Sequence, residues 1–336
     1  MMRETVLYKF SGAGNDFVVI DGREGDVSAF REVSSIEALC KEYITDGLMI
    51  LGQEMPGQAG HDRKTQAGHD GKTKAGHDGK TKAGQDVMAD PDRPSVDFTM
   101  EFYNPDGSGG MMCGNGGRCI VAFADYLGIK PASGDVFLFR APDGLHTGEI
   151  LDRPEDGLWS VRIKMIDVQG ITTILGGYFL NTGTRHFVKF VPDVEVVDVE
   201  TEGKAFRWNE AFAPIGTNVN FVHVAPDGLH VRTFEKGVEG ETLACGTGLT
   251  ASAIATYEIS RLRPAGSARN ENPVISAQTE DDSSVISTKA EGRVEKSYRL
   301  RARQDWLSVD FTPGPEDTFT NVYLTGPARL VGIKEG

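Results

Sequence analysis

Cys113-Gly114-Asn115-Gly116 and Cys245-Gly246-Thr247-Gly248 are two copies of one device. Each sets a cysteine and two glycines before a small, apolar, helix-compatible run, RCIVAFADYLG in the first case and LTASAIATYEI in the second. A thiol at a helix N-terminus faces unpaired backbone N–H groups and the positive end of the dipole, so its pKa is expected to fall toward neutrality. A thiolate is a base and a thiol an acid near neutral pH. Placed on opposite faces of one carbon, the pair could remove a proton from one side and return another from the far side, inverting a stereocentre. The charge that develops on a carboxylate during such an abstraction needs preorganised donors. Backbone N–H groups of Gly114, Asn115, Gly246 and Thr247 would supply them from two helix ends.

The elements that must hold these cysteines also repeat. VLYKF, FVVID, SVDFTMEFYN, DVFLFRA and WSVRIKMI are short strand-like runs broken by Gly, Pro and Asp, and SSIEALCKEYI has helical spacing. A second set follows, with GGYFLNTG, HFVKFV, NVNFVHV, HVRTFEKG, WLSVDF and NVYLTGPARLVG around the helix after Cys245. Residues 59–86 are a tandem octapeptide, AGHDRKTQ, AGHDGKTK, AGHDGKTK and a truncated AGQD. Without large apolar side chains the unit cannot offset its ordering entropy, so 54–94 reads as a disordered insertion. Its His61, His69 and His77 stand beside Asp62, Asp70 and Asp78, a pattern that could chelate a metal weakly, although a polar loop explains it as well. With the insertion set aside, the spacing from Asp16-Phe17 to Cys113 nearly matches that from His186-Phe187 to Cys245. The expected architecture is mixed α/β (α+β), two pseudo-symmetric lobes with the site between them. The boundaries fall at 1–164 and 165–324, with 325–336 packing back on the first lobe. Residues 263–300 read as a second polar loop.

Composition narrows the partners. The 336 residues carry a formal net charge of −14, which argues against nucleic acid and anionic membranes. No apolar run approaches the ~18 residues of a membrane span, and MMRETVLYKFSGAGNDF lacks a signal-peptide core. Four cysteines without disulfide spacing fit a reducing, cytoplasmic compartment. Neither GxGxxG after a strand nor GxxxxGK[ST] is present, and Gly12-Ala13-Gly14 is followed by Asn15-Asp16-Phe17 where a phosphate-binding helix would begin. No cofactor and no metal are therefore expected. Cys40 and Cys119, on helix-like segments, read as core residues.

FSGAGNDFVVID, YNPDGSGGMMCGNGGRC, RTFEKGVEGETLACGTG and VYLTGPARLVG resemble the signature segments of the diaminopimelate epimerase family. The resemblance spans the chain apart from the repeat and the 263–300 loop. It implies two lobes, each a curved, mostly antiparallel sheet around a central helix. It also implies a homodimer that interconverts LL- and meso-2,6-diaminopimelate by two-base proton transfer, for lysine and peptidoglycan synthesis. By this resemblance Cys113 and Cys245 are the catalytic thiols, and Asp16 and His186 tune them. Asn15, Asn104, Asn218 and Glu235 contact substrate, with Lys236 beside them, and Gly114-Asn115 and Gly246-Thr247 form the carboxylate nests.

Three segments depart from the pattern. Lys236 stands where the family usually has arginine, which replaces a bidentate fork by a point charge. Gly183-Thr184-Arg185-His186 stands where it commonly reads Gly-Asn-Pro-His, and Gly47 where some members have glutamine. A racemase of the same fold acting on histidine or a proline-like amino acid is therefore the alternative. A dithiol redox or metal-binding protein is a further one, although neither motif is Cys-x-x-Cys. A degenerate, non-catalytic relative is the last.

Overall fold

Among the described residues four α-helices, α1 (Val33–Tyr43), α2 (Gly114–Tyr126), α3 (Val199–Arg207) and α4 (Gly246–Arg261), stand against 18 strands linked into one sheet. The computed structural model describes residues 5–23, 25–53, 94–109, 112–261, 285–290, 293–303 and 305–335. All of the octapeptide segment read as 54–94 except Pro94 lies outside them.

The pairing of the first half is a ring. Val6–Gly12 is antiparallel to Asn15–Asp21, which runs parallel to Gly47–Gly52. That strand is antiparallel to Phe98–Tyr103, which runs parallel to Val136–Ala141. Gly144–Glu155 and Leu158–Lys164 follow, each antiparallel to its predecessor. The last strand of the chain, Thr318–Glu335, closes the ring. It pairs with Leu158–Lys164 through Gly326 to Arg329, and with Val6–Gly12 from Arg329 onward.

The second half repeats that order of pairings. Gly177–Asn181 is antiparallel to Arg185–Phe190, which is parallel to Asn218–Ala225. Gly228–Glu235 is antiparallel to it and parallel to Arg293–Ala302, and Asp305–Pro313 and the start of Thr318–Glu335 complete the series. α1 and α3 occupy the same step of the two series, as do α2 and α4. Phe17 sits opposite Gly47 in one parallel pair, and His186 and Phe187 opposite Asn218 and Val219 in the other. The polar loop read over 263–300 is corrected at its C-terminal end. Residues 263–284, 291 and 292 lie outside the described residues, but Val285–Ala290 and Arg293–Ala302 form an antiparallel hairpin. Tyr298, Leu300 and Ala302 alternate inward with exposed Arg299 and Arg301, a period-2 pattern that the density of charge masks in the sequence.

Composition explains why α2 and α4 are central. Asn115 through Ala124 and Gly248 through Thr256 are buried without interruption, so neither helix has a solvent face. Small side chains let surrounding strands approach. The buried hydroxyls of α4 are satisfied locally, since Thr250, Ser252 and Thr256 each donate to the carbonyl four residues earlier at 2.8–3.0 Å. Cys40 is buried on α1 and Cys119 on α2, and burial pushes both thiols up, Cys119 to about 12.

Candidate active site

Both cysteines sit at the mouth of a buried helix. Cys113 is the extended residue before α2, and its carbonyl accepts the first helical bond from Gly117 N–H at 2.7 Å. Cys245 stands in the same place before α4, with Leu249 N–H at 2.9 Å. The three N–H groups preceding each of those bonds have no helical partner. The two helix ends meet. A Cβ built on Gly246 would lie 3.9 Å from Gly114 Cα and 2.8 Å from Leu324 Cδ2, and a Cβ on Gly114 would lie 3.6 Å from that same Leu324 atom. A side chain at position 246 would have to displace Leu324. Leu324, buried on the last strand, is thus a floor shared by both ends.

The two thiols are partly exposed and both are held as neutral thiols. Burial pushes Cys113 up, against the pull of the Gly116 and Asn115 N–H groups and of Arg118. Burial and the Glu235 carboxylate push Cys245 up to about 12, with the Thr247 hydroxyl and the Gly248 N–H opposing. The fall toward neutrality expected from the helix termini is therefore outweighed, because desolvation and a nearby carboxylate act on the charged form more strongly than N-terminal N–H groups do. Glu235, itself partly buried and raised by burial, affects both thiols.

Around Cys113 the first lobe supplies a second layer. The turn Gly12–Asn15 packs on the first turn of α2, where Asn115 Nδ2 donates to Asn15 Oδ1 at 2.5 Å and to Ala244 O at 3.2 Å. Ala13 and Gly14 both have positive φ in that turn, which glycine adopts freely and alanine does not. Asn115 therefore ties the Asn15 hairpin, α2 and the residue before Cys245 together. Arg118 orients it, donating from Nη2 to Asn115 Oδ1 at 2.9 Å. This guanidinium is wholly buried and its other partners are the carbonyls of Gly114 and Pro327. Sequence reasoning missed it. The signal was a cation in the first two turns of a helix whose other residues there are small or apolar.

Around Cys245 the second lobe supplies hydroxyls. Thr247 Oγ1 lies 3.4 Å from Cys245 Sγ and 2.9 Å from His186 Nε2. His186 is fully buried and burial lowers its pKa to about 4, so the ring is neutral. Asn220 Oδ1 is 2.9 Å from Nδ1, which places the ring proton there and leaves Nε2 to accept. Thr184 Oγ1 also reaches Nε2 at 2.9 Å. Asn220 was not singled out in the sequence.

The remaining candidates divide. Asn218 is engaged by protein, accepting from Lys236 N–H at 2.8 Å and donating to Arg185 O at 2.9 Å and to Thr184 Oγ1 at 3.3 Å. Asp16 is ion-paired with Lys9 at 2.8 Å, not hydrogen-bonded to either candidate thiol. Asn104 sits in an exposed turn closed on Ser108. Lys236 is exposed. Arg185 stacks over Phe179 at 5.0 Å and donates to Phe212 O, so its charge is committed there. A glutamine at position 47 would not fit this backbone, because a Cβ on Gly47 would stand 2.7 Å from Tyr103 O. A groove of about 800 Å³ lies elsewhere, between Trp159, Arg329, Pro226 and Trp306, and contains none of these residues. Among the described residues no three His, Cys, Asp or Glu side chains cluster as a metal site, and no helix is long and apolar enough to cross a membrane.

Comparison with known proteins bears on the fold and the family. The diaminopimelate epimerase family model matches residues 178–297. The diaminopimelate epimerase of Flavobacterium psychrophilum is 32% identical over 97% of this chain and 97% of its own length. That of Aquifex aeolicus is 37% identical over 75% of this chain and 81% of its own. Among solved structures, a PhzF-family phenazine biosynthesis protein from Bacillus anthracis superposes with a TM-score of 0.60 at 11% identity, covering 100% of this chain and 99% of that one. A hydroxyproline epimerase from Agrobacterium vitis gives 0.50 at 13% identity, covering 99% and 93%. The structures share the fold, and the sequence relatives, the Flavobacterium one matched nearly end to end, establish that this chain belongs to the diaminopimelate epimerase family.

Proposed function

We propose that this isomerase interconverts LL- and meso-2,6-diaminopimelate with Cys113 and Cys245 as its two acid–base groups and without a cofactor. The observation that carries the reading is the meeting of two cysteine-led helix N-termini, Gly114 against Gly246, with Glu235 acting on both thiols. The substrate's α-carboxylate would rest on the N–H groups of Gly114, Asn115, Gly246 and Thr247, where the helix dipoles favour an anion. Its α-ammonium would meet Glu235. That cation offsets the carboxylate charge which holds the thiols protonated, so binding makes a thiolate accessible at the moment it is needed. One thiolate takes the α-proton, forming S–H as the C–H electron pair moves toward the carboxylate. The other thiol then gives its proton to the opposite face, and the negative charge passes to that sulfur. Asn15 and Asn115 fix the first lobe at the site, and Asn104, Asn218 and Lys236 line its approach. His186 acts on Cys245 through Thr247, and Asp16 acts at most from a distance. A reducing, cytoplasmic setting fits the four free cysteines, and the homodimer is what the family resemblance implies.

Purified protein under reducing conditions should convert LL-diaminopimelate to the meso form with a kcat/KM at least about tenfold above that for proline, hydroxyproline or histidine. No conversion would overturn the reading. A monocarboxylate preferred over diaminopimelate would favour the second reading, a racemase of single-carboxylate amino acids. That reading has one observation behind it, since Thr184 and Arg185 are turned onto protein groups and Lys236 is exposed.

A further inference from the structure

We infer that Thr184 is a positioning residue for Cys245, one half of a two-hydroxyl switch that follows the protonation state of that thiol. The inference rests on Cys245 being one of the two acid–base groups. It starts from a count of donors and acceptors. His186 Nδ1–H is committed to Asn220 Oδ1, and Asn220 Nδ2 faces Thr233 Oγ1 at 3.5 Å. Nε2 therefore has one lone pair to offer, yet two hydroxyls, those of Thr184 and Thr247, each lie 2.9 Å from it. The two oxygens are 3.2 Å apart, and Thr247 alone also reaches Cys245 Sγ. A single lone pair cannot accept both protons, so the arrangement has two settings.

With Cys245 as a thiol, S–H donates to Thr247 Oγ1, Thr247 donates to Nε2, and Thr184 donates to Thr247 Oγ1. With Cys245 as a thiolate, Thr247 turns its proton to the sulfur and Thr184 turns its own to Nε2. Both settings leave every group satisfied, and His186 stays neutral throughout. No proton crosses the relay; two O–H bonds rotate while the S–H bond is made or broken at the substrate. Thr184 is held for this by Asn218, whose Nδ2 donates to its oxygen at 3.3 Å in either setting. Without the Thr184 hydroxyl, stabilising the thiolate would strip Nε2 of its only donor in a fully buried site, and the thiolate would be disfavoured. The other charged or titratable groups facing Cys245 are Glu235 on its strand and Cys113 at the end of α2, with Arg118 behind Cys113. None of them is touched by a change at Thr184.

The test reads the thiol directly. Full-length protein carrying Cys113→Ser is alkylated with iodoacetamide from pH 7 to 9.5, and modification of the Cys245 peptide is followed by mass spectrometry. Thr184→Val keeps the size and loses the hydroxyl; Thr184→Ser does the reverse. The expected result is a Val variant alkylated about tenfold more slowly at each pH, with the Ser variant within about twofold of the parent. A Val variant equal to the parent overturns the proposal. Equal slowing in both variants also overturns it, because that reports packing around the sulfur. Should Thr184→Val not fold by its thermal melt, Thr184→Ala against Thr184→Ser makes the same comparison. Failure of the unmodified chain to epimerise diaminopimelate would leave this titration readable, so the two readings fail separately.

Discussion

Cys113 and Cys245 begin the proposed cycle protonated, and this sets how rate depends on pH. Burial and Glu235 hold Cys245 up to about 12 and Cys113 above its ordinary value. A raised thiol pKa means less thiolate at neutral pH, so kcat/KM should climb by about tenfold per pH unit between 7 and 9. Glu235→Gln removes the charge that disfavours the thiolate, so its rising limb should move to lower pH while KM for substrate increases. Initial-rate profiles decide this; a wild-type kcat/KM that is flat from pH 7 to 9 would show the thiols already ionised. The cysteines themselves were legible because their context occurs twice. Their protonation was not, because helix-end N–H groups are visible in sequence whereas desolvation and the approach of Glu235 arise only in the fold. Asn220 was hidden because it acts through His186 on the neighbouring strand, and Arg118 because its burial against Asn115 and the distant Pro327 carbonyl arises only in the fold.

At the scale of elements, α2 and α4 were foreseen from their small residues, and α3 was not. VETEGKAFR is polar, and its helix is written in the ends. Asp198 accepts from Thr201 N–H, Glu200 and Glu202 stand in the first turn, and Lys204 and Arg207 in the last. The strand Gly144–Glu155 was missed because it is exposed along much of its length and holds its place through neighbours on both sides. Glycine inside α4 tests how tightly that helix is gripped. A Cβ on Gly248 would fall 2.5 Å from Asn220 Nδ2, and Asn220 is fixed by His186. Helix propensity would favour Gly248→Ala by about 1 kcal/mol, but overpacking a fixed neighbour costs about 1–3 kcal/mol. The variant should therefore be less stable than the parent by up to about 2 kcal/mol in urea unfolding, with a lower kcat from a displaced His186. A stabilised, fully active variant would show that Asn220 yields freely.

For the whole molecule, duplication is the organising fact. The two halves repeat one order of parallel and antiparallel pairings, and each contributes one helix end and one thiol. The final strand binds the halves, since its first part completes the second and its later part closes the ring of the first. Spacing in the sequence revealed the duplication once the octapeptides were set aside, but not that closure, because strand partners so far apart leave no local trace. On the proposed reading the thiol of each half acts as a base on one face of the same carbon, and isotope labelling examines that directly. LL-diaminopimelate is incubated with the enzyme in deuterated water and quenched at a few per cent conversion. The meso product should carry solvent deuterium at the inverted α-carbon, while the recovered LL substrate stays unlabelled. Deuterium appearing equally in substrate and product would mean a single base, and would contradict the two-thiol account.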